Sequence, residues 1–197
     1  LCAVELRSPA PFTFAGFAAY NGEYQSQLAE WGLLLDGRNP IARTNVAPAV
    51  YPPAEPSLYA FSYTLPTAQP DDSRTCIVAG AGDLRDQADL SPAAIVRPGE
   101  TSPAAMAEKA AAVLAVMEER LFGLGMGWAD VNGVGVYTVH PLHPLLESTL
   151  FSSLHEATGC GIDSRRLSVR PQLAGSPSTA SPRPMADRSS RSAWATK

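Results

Sequence analysis

Residues 102–140 read SPAAMAEKAAAVLAVMEERLFGLGMGWADVNGVGVYTVH, and this stretch decides the fold. Ser102 followed by Pro103 is a helix start: a serine caps free N–H groups, and proline fits the first helical position. From there Met106, Ala110, Val113, Leu114, Met117 and Leu121 recur at helical spacing and make one continuous apolar face. Glu108, Lys109, Glu119 and Arg120 fall off that face and are expected in water. Gly123 and Gly125 stop the helix at about Phe122. The run DVNGVGVYTVH then reads as a strand, with Val134, Val136 and Thr138 on one side and Gly135, Tyr137 and Val139 on the other. A long helix followed at once by a half-buried strand predicts an α+β unit whose helix lies on its own sheet.

The bulk properties allow this. The 197 residues are 45% hydrophobic and 17% charged, enough for one good core with extensions. A formal net charge of -4, with scattered Lys and Arg, argues against nucleic acid or an anionic membrane as partner. Cys2, Cys76 and Cys160 are odd in number and have no metal-like spacing, which reads as thiols in a reducing compartment. No apolar run is long enough for a membrane span, and LCAVELRSPAP lacks a signal peptide's apolar stretch, so a cytoplasmic location is expected. A start at Leu1 suggests a fragment, a processed chain or a trimmed one.

Upstream, residues 1–20 show no clear period, and a short helix is predicted from about Glu23 to Leu35. Tyr24, Leu28, Trp31 and Leu35 form its stripe, and DGRNP ends it. Residues 1–44 are therefore set apart as an N-terminal extension. The prolines of NVAPAVYPPAEP forbid a helix, after which LYAFSYT and TCIVAGAGDL are expected to form a β-hairpin. The Gly-Ala-Gly of the second strand implies close backbone approach. Downstream, HPLHP breaks the strand and LLESTLFSSLHEATG predicts a second helix with Leu146, Leu150 and Leu154 on one stripe. Extended structure is expected again from about Arg166 to Arg170. Beyond Gly175 the chain is rich in Ser, Pro, Ala and Arg, and residues 176–197 are predicted to be a disordered tail.

Several isolated features carry bland readings. His140 and His143 have no Cys, Asp or Glu beside them at a ligand spacing and read as loop histidines, so no metal site is predicted. GAGDL and GLGMG lack the context of a phosphate loop. Arg97 and Glu100 read as an exposed loop, with closure over a cleft as the alternative.

The order strand, strand, helix, strand, helix, strand resembles the Rid family (RidA, YjgF or L-PSP proteins). NVAPAVYPPAEPSLYAFSY looks like that family's APA-type lead into its first strand, and TCIVAGAGDL like its second. AMAEKAAAVLAVMEERLFGLGMGWADVNGVGVYTVHPLHPLL is the nearest match. The resemblance covers about residues 45–175, taken as the Rid-like domain. It implies a chorismate-mutase-like α+β fold, a mixed β-sheet with two helices packed on one face. It also implies a homotrimer with a small-molecule cleft between each pair of subunits. Archetypal members hydrolyse imines and enamines such as 2-aminoacrylate to 2-oxo acids and ammonia, related members deaminate 2-aminomuconate, and no cofactor is needed.

The resemblance also implies a site of few parts: an arginine gripping the substrate carboxylate and a carboxylate or carbonyl orienting water. Arg166-Leu167-Ser168 matches the family's Arg-x-Cys, with Ser168 in the cysteine's place. A slip of one residue puts Arg165 there instead. A third register, through RPQLAG, leaves Ile162 or Asp163 at that position; these alternatives exclude one another. Ser168, Tyr137 and Arg170 are the expected substrate-binding partners of the catalytic candidates Arg166 and Arg165. The family's last strand and its Glu are not found after Gly175. Either the reading frame shifts there or the subunit lacks that Glu. The expected function is thus a Rid-like deaminase of a small imine or enamine carboxylate, and the alternative is a non-catalytic Rid-like trimer binding a small carboxylate or a partner protein.

Overall fold

The computed structural model describes residues 1–65 and 75–152, together with the backbone of 161–165 and 167–168. The architecture is α+β. Strand β1 (Ala3–Arg7) is followed by helix α1 (Phe14–Glu30), β2 (Ala42–Pro48) and β3 (Ser57–Ser62). Helix α2 (Pro103–Gly123), β4 (Gly133–Tyr137), a short α3 (His143–Leu145) and a π-helical turn (Leu146–Phe151) come next. Strands β5 (Gly161–Arg165) and β6 (Leu167–Ser168) close the described chain. The expected final strand, Leu154 and the tail lie outside the described residues.

A mixed four-stranded sheet runs in the order β3-β1-β2-β6, and β4 pairs in parallel with β5 as a second sheet. Both β1 and α1 come from residues 1–44. β1 pairs with β2 in parallel and with β3 antiparallel, so it is an interior strand. Its alternation explains that position: Val4 packs with Leu28 and Ile41, and Leu6 joins the same cluster, beneath α1. Glu5 and Arg7 therefore face the other way.

Helix α1 starts earlier and ends earlier than its leucines suggest. Thr13 caps it, its Oγ1 accepting from Gly16 N at 3.0 Å, and Gly32 ends it with a φ of 66°. Of the predicted stripe, Leu28 is buried and Tyr24 half-buried, whereas Trp31 and Leu35 lie past the helix and are exposed. Leu35 and Arg38 instead exchange backbone hydrogen bonds across Asp36-Gly37, both with positive φ. Arg43 of β2 ties α1 to the sheet: its guanidinium lies 4.6 Å from the Tyr24 ring centroid and 5.5 Å from that of Phe17, and it donates to Asn21 Oδ1. Burial holds the Arg43 pKa below the ordinary arginine value and pushes those of Tyr20 and Tyr24 up. The Tyr24 hydroxyl is buried and has no hydrogen bond of good geometry among the described residues, although Asn39 lies near enough to favour its ionised form.

Helix α2 is as the sequence predicts, with Ser102 Oγ accepting from Ala105 N at 3.3 Å. Leu114 and Leu121 bury against Trp128, Leu142, Leu145 and Leu150, and Val134 and Val136 of β4 pack onto that cluster. The expected hairpin is not formed. Residues 75–83 have no strand structure, and β3 pairs with β1 instead. Side chains of α2 expected in water hold this irregular segment. Lys109 reaches Asp83 at 2.6 Å and the Val96 carbonyl, and Arg120 donates to the Ala79 and Gly80 carbonyls at 2.7 and 3.0 Å. Exposed Arg97 pairs with Glu100 and Glu108.

Two substitutions test this packing by chemical denaturation. Leu28→Ala, at a fully buried position, is expected to cost about 2–5 kcal/mol. Ser102→Ala removes a cap on an exposed helix end and is expected to cost about 1 kcal/mol.

Candidate functional site

The sheet face turned away from α1 carries the chemistry. Ala3, Glu5 and Arg7 lie on it from β1, with Ala42, Thr44 and Val46 as their β2 partners. Tyr137 of β4 and the segment around Ile77 and Ala79 meet this face, enclosing a cavity of about 120 Å³. Its polar lining comes from Glu5, Thr44, Ser62 and Tyr137. Gly135 gives Tyr137 room. Two residues apart on one strand face, they are close enough that a Cβ at Gly135 would stand 3.3 Å from the Tyr137 hydroxyl oxygen.

Glu5 also belongs to a second feature. Arg7 donates to Glu5 Oε2 at 3.0 Å and to the Leu6 carbonyl at 3.0 Å, and its guanidinium lies 4.1 Å from the Tyr59 ring centroid. The Arg7 side chain is 6% exposed and that of Glu5 39%. A buried guanidinium is therefore held by a carboxylate that still reaches solvent. Beside it lies a groove of about 330 Å³, lined by Arg7, Pro48, Tyr51, Ser57 and Tyr59. Cavity and groove thus meet at one ion pair.

Of the residues predicted from the sequence, Tyr137 lines the cavity. Arg165 is its register partner, because β4 and β5 pair Tyr137 with Arg165. Ser168 pairs with Ala47 and Leu167 with Pro48, so β6 runs along the groove end of β2, with Ser168 level with Ala47 rather than in the row of Thr44 and Val46. Strands β5 and β6 join different sheets, and the single residue between them is Arg166. Arg166 and Arg170 lie outside the described residues. Glu5 and Arg7 were missed by sequence reasoning. The signal was present in Val4 and Leu6 alternating with Glu5 and Arg7, too short a run to stand out beside the prolines and phenylalanines that follow.

Comparison with known proteins adds to this geometry. A family model described as 2-aminomuconate deaminase CnbZ matches residues 1–171. The chain is 42% identical over 157 residues to a 2-amino-5-chloromuconate deaminase from Comamonas testosteroni. That match covers 80% of this chain and 61% of the relative, so the chain spans about three-fifths of the relative's length. No solved structure matches. The match agrees with the Rid-type resemblance, which extends to 2-aminomuconate deaminases. Spanning all of the described residues, it shows that the chain belongs to the 2-aminomuconate deaminase CnbZ family.

Proposed function

We propose that the chain is a deaminase that hydrolyses an enamine or imine carboxylate of the 2-aminomuconate type to a 2-oxo acid and ammonia. The observation that carries this reading is Glu5 and Tyr137 lining one small cavity, with Arg165 at the register position beside Tyr137. The reaction needs little more. An enamine tautomerises to the imine, water adds to the imine carbon, and the resulting carbinolamine expels ammonia and leaves a carbonyl. Glu5 is the group to orient and deprotonate the water, since it is partly hydrated and held in place by Arg7. The Tyr137 hydroxyl is the group to pass a proton to the departing nitrogen. An arginine at the end of β5 or next after it, Arg165 or Arg166, grips the carboxylate beside the reacting carbon by two parallel bonds.

Assembly as a homotrimer belongs to the same proposal. Among the described residues β3 is an edge strand, and its Leu58 and Phe61, with Tyr63 just beyond, are exposed. An apolar edge of this kind is ordinarily covered in a stable protein, and a second copy of the chain would cover it.

Incubation with freshly prepared 2-aminomuconate is expected to release ammonia and the 2-oxo acid together. No release above buffer by a folded oligomer overturns the deaminase reading and leaves a carboxylate-binding trimer. Glu5→Gln is expected to lower kcat by about 100-fold or more, while Tyr137→Phe lowers it less. Arg165→Ala and Arg166→Ala separate the two anchors, because the true one raises KM steeply. The native mass is expected to be three times the chain's 20.8 kDa; a monomer would contradict the trimer.

A further inference from the structure

We infer that Arg7, stacked on Tyr59 in the groove beside Glu5, is the anchor for a second, remote carboxylate. It would make the site selective for dicarboxylates over monocarboxylates. The inference rests on the deaminase reading for the identity of the reacting end, but its own evidence is separate.

That evidence begins with the backbone. Where β1 pairs with β3 the register slips: Leu6 faces Leu58 and Glu5 faces Ala60, which leaves Tyr59 as an extra residue in a bulge. Bulges re-aim side chains, and this one sets the Tyr59 ring against the Arg7 guanidinium at 4.1 Å. Stacking fixes the plane of the guanidinium and leaves its N–H edges to hydrogen bonding. Among the described residues, those edges serve the Leu6 carbonyl and Glu5 Oε2, whereas a guanidinium has five N–H donors.

Charge points the same way. A guanidinium this deeply buried needs a matching anion, and its partner among the described residues is Glu5, whose side chain reaches the cavity. A ligand carboxylate entering from the groove meets an oriented, desolvated fork rather than a mobile surface arginine. Ser57 adds a hydroxyl to the same wall.

Geometry links the two ends. Glu5 and Arg7 are two residues apart on one strand face, about 6.6 Å along the chain. A six-carbon dicarboxylate with its reacting carbon at Glu5 and Tyr137 therefore carries its far carboxylate toward Arg7. The groove volume of about 330 Å³ is within the range of small-molecule sites. A three-carbon monocarboxylate such as 2-aminoacrylate ends short of it.

The test uses two inert probes that differ only at the far end: trans,trans-muconate, and sorbate, which has a methyl group in place of the second carboxylate. Calorimetric titration of the wild-type protein is expected to show muconate binding far more tightly than sorbate. Arg7→Met is expected to weaken muconate binding about 100-fold and to remove that preference. Arg7→Lys keeps the charge without the planar fork, guards against misfolding of the first variant, and is expected to lose most of the preference. Glu5→Gln removes the internal competitor and is expected to tighten muconate binding. Equal affinities for the two probes in the wild type, or an undiminished preference in both Arg7 variants, would overturn the inference. Ammonia release alongside equal probe affinities sinks the role of Arg7 alone. A muconate preference that depends on Arg7, with no ammonia release, upholds the anchor and sinks the deaminase reading.

Discussion

The structure depends on the placing of β1 between β2 and β3. A strand of five residues bonded on both edges has each side chain committed to one of two faces. Val4 and Leu6 are driven to α1 by burial against Leu28 and Ile41, and that choice fixes Glu5 and Arg7 on the opposite face. A slip of one residue would bury the ion pair under the helix and turn the valine and leucine toward the cavity. The apolar contact with α1 therefore positions the polar pair, although the two never touch.

The opposite wall is held by different means. The segment bearing Ile77 and Ala79 has no strand ladder in its described part to satisfy its backbone, and cationic side chains of α2 supply the missing donors. Arg120 bonds the Ala79 and Gly80 carbonyls, and Lys109 bridges Asp83 and the Val96 carbonyl. The Lys109 side chain is 12% exposed, so these contacts act in a partly desolvated setting where charge-assisted bonds are strong. α2 thus serves two faces at once. Its apolar stripe packs on Trp128 and β4, while its flank fastens the wall of the cavity.

Aromatic rings take a recurring part in holding arginines on this sheet. Arg43 lies against Tyr24, Phe17 and Tyr20 on the helix side, and Arg7 against Tyr59 on the other. A ring face attracts a cation without neutralising it, so the guanidinium keeps its charge and its N–H edges for other partners. On the helix side the outcome is a fastening of α1 to β2. On the cavity side the same device leaves an oriented cation next to a groove.

Much of this was legible in the residues themselves. The Ser102-Pro103 start, the apolar stripe to Leu121 and the strand from Gly133 are local patterns, and local patterns survive folding because cap, period and alternation are properties of short segments. The α+β class and the family resemblance followed from their order. What sequence alone did not decide were pairings across distance. LYAFSYT has the composition of a hairpin strand, but its partner turned out to be Ala3–Arg7, more than fifty residues earlier, since hydrogen-bond ladders are indifferent to separation along the chain. Lys109 and Arg120 read as solvated because a helical wheel shows which side a residue leaves by and not what waits there. Tertiary structure alone brought Glu5 to the cavity of Tyr137 and set Tyr59 over Arg7, because a short alternating run acquires a chemical role only when another strand's register places a second group beside it.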